Sequence, residues 1–182
     1  MGKVRIIGGQ WRGRLLDVAD HRGLRPTPDR VRETLFNWLQ CQVPGARCLD
    51  VFAGSGALGF EAASREAKSV VMLEKERPVA SALKAQAKRL GGPIEVMHAD
   101  ALKWLPTVHG QPFDLVFLDP PFDAGLLPRV LSLLATPGRL ATDAHIYMEF
   151  SSRSETPPLP EGWRLMKRKT LGEVTFALLQ AR

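Results

Sequence analysis

Residues 48–63 read CLDVFAGSGALGFEAA, an apolar strand-like run, then three glycines, then a helical stretch. Gly54, Gly56 and Gly59 fit the spacing G-x-G-x-x-G, which lets backbone approach a ligand closely at a strand-to-helix turn. Unpaired N–H groups at such a turn favour polar or anionic partners. The glycines alone do not choose a ligand. A tight turn that packs helix on strand would use the same residues.

The pattern repeats outward from this stretch. Toward the C-terminus, SVVMLE, IEVMHA, FDLVFLD and HIYMEF read as short apolar strands. They alternate with helical stretches from Ala57, Pro78 and Leu126 and a short one near Leu102. Such alternation predicts an α/β fold, a mostly parallel Rossmann-like sheet with helices on both faces. The tail, WRLMKRKTLGEVTFALLQA, carries two strand-like runs around Leu171-Gly172, expected as a closing antiparallel hairpin. Residues 151–162, SSRSETPPLPEG, resemble a linker. Toward the N-terminus, Val4 to Val18 suits a small β-ribbon of two or three strands broken at Gly8-Gly9 and Gly13. RPTPDRVRETLFNWLQ then predicts a helix capped by Thr27, with Pro28 at its first position and a core face of Val31, Leu35, Trp38 and Leu39. The expected division is 1–24 as a β-ribbon extension and 25–182 as the Rossmann-like domain.

Acids follow consecutive strands, where an open α/β sheet binds ligands. Asp50 lies four residues before Gly54; it would repel a pyrophosphate and attract a cationic amino group, such as the one S-adenosylmethionine carries. Glu74 suits the two hydroxyls of a ribose in either kind of cofactor, and Asp100 suits an adenine amino group. A nicotinamide dinucleotide remains open on the glycines and Glu74, weakened by Asp50.

The fourth strand ends unusually. In FDLVFLDPPFD, residues 113–123, Asp119 is followed by two prolines that keep the backbone extended and stiff. The Asp119 carboxylate and a carbonyl of this turn can converge on an amine with two hydrogens. Holding those hydrogens biases a nucleobase amine toward a pyramidal, nucleophilic geometry. Phe122 would stack on the base, worth roughly 1 to 3 kcal/mol, once the base is unstacked or flipped out.

The chain has 182 residues, enough for one domain and a core, and a net charge of +6 that attracts polyanions. With no span-length apolar run and no signal-peptide pattern, a cytoplasmic protein is expected. Cys41 and Cys48 are expected to be reduced, packed thiols, and no residue pattern suggests a metal site. Arg5, Arg12, Arg14, Arg25, Arg30 and Arg32 fall within the first 32 residues against three acids, Asp17, Asp20 and Asp29. This segment, with Trp11, is where nucleic acid would sit, and phosphate contacts are assigned to Arg12, Arg14, Arg25 and Arg30 as a group. Lys167, Arg168 and Lys169 could extend that surface. A non-catalytic RNA-binding protein would also fit the charge, but it leaves Asp119 to Phe122 unexplained.

The segments RIIGGQWRGRLL, RPTPDRVRETLFNWL, LDVFAGSGALGFEA, LEKE and FLDPPF together resemble the RsmD family of class I S-adenosylmethionine-dependent methyltransferases. The likeness runs from about residue 4 to 123 and, more loosely, through KRKTLGEVTFALL. It implies methyl transfer from S-adenosylmethionine to the N2 of a guanine in 16S rRNA, within a small-subunit ribosomal particle; a monomer with no membrane or metal partner is expected. It also implies a cofactor pocket of Asp50, Phe52, Gly54, Gly56, Glu74, Lys75, Asp100 and Ala101, and a catalytic turn of Asp119, Pro120 and Phe122. Many relatives carry Tyr where this chain has Phe122, so no role rests on a hydroxyl there. The aspartate-proline-proline turn is shared with methyltransferases of DNA adenine and of protein glutamine amides, which form the alternative reading.

Overall fold

The structure, a computed structural model, describes residues 2–19, 27–121 and 125–182. It opens with a ribbon of two antiparallel strands, β1 (Gly2–Arg5) and β2 (Leu15–Val18), with Val4 opposite Leu16. Helix α1 (Asp29–Trp38) follows. Then come β3 (Arg47–Asp50), α2 (Ala57–Ser64), β4 (Ser69–Glu74), α3 (Arg77–Leu90), β5 (Ile94–His98) and α4 (Ala101–Trp104), the last running into a single 3-10 turn. The chain closes with β6 (Phe113–Leu118), α5 (Leu127–Leu134), β7 (Leu140–Ser151), β8 (Arg164–Leu171) and β9 (Val174–Gln180).

Seven strands form one sheet in the order β5-β4-β3-β6-β7-β9-β8. The pairings from β5 to β7 are parallel; β9 inserts antiparallel between β7 and β8, which closes the hairpin at Gly172 with φ +60°. The mostly parallel sheet with an antiparallel hairpin is therefore as expected. After β3 the chain winds outward through β4 and β5, then crosses back to β6 on the other side of β3. That reversal opens a crevice between the carboxyl ends of β3 and β6, the place where doubly wound sheets bind ligands.

Strand alternation divides the core. Cys48, Leu115, Phe117 and Tyr147 face the layer built by the ribbon, α1, α2 and α3. Leu49, Val116, Leu118, Ile146 and Met148 face the layer containing α4 and α5. By the same period of two, Asp50, Asp119 and Glu149 fall on the first face. All of α2 is buried, because the sheet covers one side and the ribbon lies against the other. Its Glu61 is satisfied there: the carboxylate accepts from Ile7 N and Gly8 N, both at 2.8 Å, and from Arg65 Nε at 2.8 Å, and lies 3.6 Å from the fully buried Arg32. Arg32 also donates to the Arg5 carbonyl at 2.9 Å, so one ion pair ties ribbon, α1 and α2.

Three local expectations change. Pro28, with ψ 145°, is the cap residue rather than the first helical one, and Thr27 makes no capping bond, because its hydroxyl is committed elsewhere. Trp38 is only half-buried, stacked beside Phe176, while Phe36 and Arg32 occupy the core. Cys41 is exposed in the turns after α1; Cys48 is buried, which pushes its thiol up to about 12.

Candidate active site

The glycine loop is shaped by what its backbone must reach. Gly54 donates to Glu74 Oε2 at 3.0 Å and has φ +51°. Gly56 caps α2 in the left-handed region, φ +78°, where a Cβ would sit 2.5 Å from the Phe60 ring and 2.8 Å from Leu83. At Gly59 a Cβ would come within 3.0 Å of Met72, so the third glycine serves the close packing of α2 on β4.

Asp50 ends β3 with 1 % of its surface exposed. Oδ2 accepts from Gly59 N at 3.1 Å, which caps α2 from the strand end, while Oδ1 is buried without a partner. Burial first, then the charges of Asp119 and Glu74, push its carboxyl up to about 7, against the N–H groups of Gly59 and Phe52. A buried carboxylate oxygen with no donor costs free energy unless something positive or hydrogen-bearing arrives.

Glu74 ends β4, beside β3 in the sheet; its Oε1 accepts from Glu76 N at 2.8 Å while Oε2 takes Gly54 N. Asp100 follows β5 and caps α4, accepting from Leu102 N at 2.9 Å, with its other oxygen 3.7 Å from the exposed Lys75 ammonium. Ala101 is buried beside it, and Phe52 is half-buried on the α4 side of the sheet. The structure thus links Asp50, Gly54, Gly56 and Glu74 through shared backbone at one sheet edge, and joins Lys75 to Asp100 and Ala101 at the next strand end. The lining is rich in acceptors. It matches a ligand with an ammonium group and hydroxyls better than a pyrophosphate.

Asp119 leaves β6 across the crevice; the register pairs Asp50 with Phe117, two residues earlier. Its Oδ2 accepts from the Thr27 hydroxyl at 3.0 Å, and its carboxyl is pushed up to about 6 by burial, which the Thr27 bond opposes. Pro120 is buried behind it. Phe122 and Arg25 lie outside the described residues.

The arginines divide. Arg30 is exposed on the first turn of α1, three residues after Thr27, whose hydroxyl meets Asp119. Arg12 and Arg14 are exposed in the ribbon turn, where Gln10 N and Trp11 N bond Ser64 at the far end of α2, about 12 Å from the glycine loop at 1.5 Å per residue. Lys167, Arg168 and Lys169 are exposed on the edge strand β8.

Two residues at the site escaped the sequence reading. Thr27 read as a helix cap, yet it holds Asp119. Glu149 lies beside Asp119 across the β6–β7 pairing and is 2 % exposed; its signal was an acid inside the apolar run IYMEF. Among the described residues no cluster suited to a metal ion occurs and no helix is long and apolar enough to cross a membrane.

Comparison with known proteins finds relatives along almost the whole chain. The family described as conserved hypothetical protein 95 matches residues 4–180. The chain is 48 % identical to ribosomal RNA small subunit methyltransferase D of Escherichia coli over 98 % of this chain and 90 % of that protein. It is 48 % identical to the protein of the same name in Haemophilus influenzae, over 98 % and 94 %. Among solved structures, yhhF of Escherichia coli superposes with a TM-score of 0.91 at 44 % identity, covering 100 % of this chain and 99 % of that one.

Proposed function

The chain belongs to the RsmD family, whose sequence model is described as conserved hypothetical protein 95, and from that premise we propose that it transfers a methyl group from S-adenosylmethionine to the exocyclic N2 of a guanine in 16S rRNA. The observation that carries the reading is the placement of Asp119, a carboxylate braced by Thr27, directly across the β3–β6 crevice from Asp50.

The residues fit the cofactor. The unpartnered Oδ1 of Asp50 is a ready acceptor for the ammonium, the free lone pairs of Glu74 for the ribose hydroxyls, and Asp100 with the Ala101 backbone for adenine. Phe52 and Lys75 flank these contacts. When bound, S-adenosylmethionine supplies an electrophilic methyl.

Asp119 accepts one hydrogen of the guanine amine and Pro120 fixes the turn, so the nitrogen lone pair is turned toward the methyl. Phe122 provides the stacking face. As the nitrogen becomes cationic its acidity rises, and Asp119 need only receive a proton and return it to water. With its carboxyl near 6, Asp119 is largely ionised at neutral pH and still releases a proton readily. Most of the rate comes from position. Arg12, Arg14, Arg25 and Arg30 hold phosphates of a substrate presented in a small-subunit particle.

The test uses labelled S-adenosylmethionine with under-methylated small-subunit RNA or particles. Asp119→Ala is expected to lower transfer by about a hundredfold or more while cofactor binding stays near wild type. Wild-type transfer by that variant contradicts the assignment.

A further inference from the structure

Strand β8 ends the sheet on the side away from β5. Seven of its eight residues are exposed, and its sequence, RLMKRKTL, carries four cations and no acid. Strict alternation would divide those cations, Arg164 and Arg168 on one face, Lys167 and Lys169 on the other. The structure does otherwise. Leu165 lies opposite Leu179 and Lys167 opposite Leu178, so Met166 is an extra residue, a bulge that reverses the alternation. Arg164, Lys167 and Lys169 then stand opposite Gln180, Leu178 and Phe176 on one face, and Arg168 stands opposite Ala177 on the other. Side-chain contacts agree. Arg164 donates to Gln180 Oε1 at 3.0 Å and Lys167 Nζ lies 5.7 Å from the centre of the Trp38 ring, while Arg168 sits over Phe150 and donates to Thr156.

The face so chosen is the one that carries Asp119. Phe176 is paired with Glu149 on β7, and Leu118, one residue before Asp119, is paired with Met148. Asp119, Glu149, Phe176 and Lys169 therefore lie in one row across the sheet, its ends three strand spacings or about 14 Å apart. Among the described residues no lysine or arginine forms an ion pair with Asp50, Asp119 or Glu149, and none of Arg164, Lys167 and Lys169 pairs with an acid. An acid-lined crevice repels phosphate, so the backbone of an RNA whose base enters it is held beside it. The ribbon packs on α2 and α3, on the β4 side of the crevice, through Trp11 N on Ser64 and Asp17 N on Gln86. The β7 side is left to β8.

Resting on the methyltransferase reading above, we propose that Arg164, Lys167 and Lys169 form a phosphate-binding track for the rRNA strand that flanks the target guanine. Lysines on either face would protect a sheet edge from unwanted pairing. A bulge that gathers three cations on the Asp119 face serves a ligand lying along that face. The same bulge interrupts the regular edge that a strand from a protein partner would need, which favours RNA as the occupant. Arg168 is turned away and lies outside the track.

Binding to protein-free 16S rRNA, read by filter retention over a series of salt concentrations, tests this on wild type, Lys167→Gln/Lys169→Gln, Lys167→Arg/Lys169→Arg and Arg168→Gln. At about 0.15 M salt the double Gln variant is expected to bind about tenfold more weakly, and its slope of log affinity against log salt to be shallower by about 1.4, the share of two phosphates on a single strand. The double Arg variant should keep wild-type affinity, and Arg168→Gln should stay near it. With small-subunit particles as substrate, the double Gln variant should raise KM for the particle and leave kcat and KM for S-adenosylmethionine unchanged. Unchanged affinity in the double Gln variant, or an equal loss per charge removed in Arg168→Gln, overturns the proposal. So does a loss seen with particles but not with protein-free RNA, which would place a ribosomal protein on β8. Binding is read without catalysis, so RNA binding without methyl transfer by the wild type would refute the proposed function and leave the track to be decided by the variants.

Discussion

Asp50 shows how a single side chain can serve both the fold and the ligand. Oδ2 holds Gly59 and Oδ1 waits without a partner, in surroundings that keep the carboxyl near 7. A cationic amino group beside Oδ1 favours the ionised form and lowers that value. Binding S-adenosylmethionine at about pH 7 should therefore expel protons from Asp50, and the effect should fade well above that pH, where the group is already ionised. Calorimetry in buffers of different ionisation enthalpy measures the exchange. Wild type should release more protons than Asp50→Asn, and equal release in the two would remove Asp50 from the ammonium site. At this scale the acids at strand ends were legible, because a period of two and a following glycine or proline locate the carboxyl edge from sequence. Thr27 and Glu149 were not. A threonine ahead of a helix has a local use as a cap, and only the three-dimensional approach of α1 to β6 reassigns it. An acid within an apolar strand announces burial without naming its partner.

Helix α2 is the element on which the site depends. It carries the glycine loop at one end and the ribbon at the other, and its fully buried Glu61 meets the fully buried Arg32. Removing Glu61 takes the acceptor from two backbone N–H groups and one counter-charge from Arg32, which keeps Asp29 as its other ion-pair partner. Glu61→Ala should cost about 1 to 3 kcal/mol of stability, the penalty of leaving a buried donor unsatisfied, read as a lower urea midpoint, and should loosen the ribbon because Ile7 N and Gly8 N lose their acceptor. A midpoint within error of wild type would contradict this account of how the ribbon is held. Strands and helices themselves could be read from periodicity, down to the closing hairpin at Gly172. Arg32 could not. In sequence it sits among the N-terminal arginines expected to face solvent, yet it shares a helix face with Phe36 one turn later and is wholly enclosed.

For the whole molecule, the sheet order sets the geometry of function. The crossing from β5 back to β6 brings Asp50, Asp119 and Glu149, drawn from β3, β6 and β7, onto one face of one edge. The exposed arginines are spread, with Arg30 on the first turn of α1 and Arg12 and Arg14 in the ribbon turn at the far end of α2. A duplex-free segment of RNA reaching from one to the other would be positioned by its phosphates and read only at the base that enters the crevice. The alternative acceptors, DNA adenine and a protein amide, share the amine chemistry, so identifying the product decides among them. The most direct measurement is mass spectrometry of nucleosides released from under-methylated small-subunit particles after incubation with the protein and labelled S-adenosylmethionine. The account predicts label in N2-methylguanosine from the 16S rRNA; label on adenine, in protein, or nowhere in the particle would contradict it.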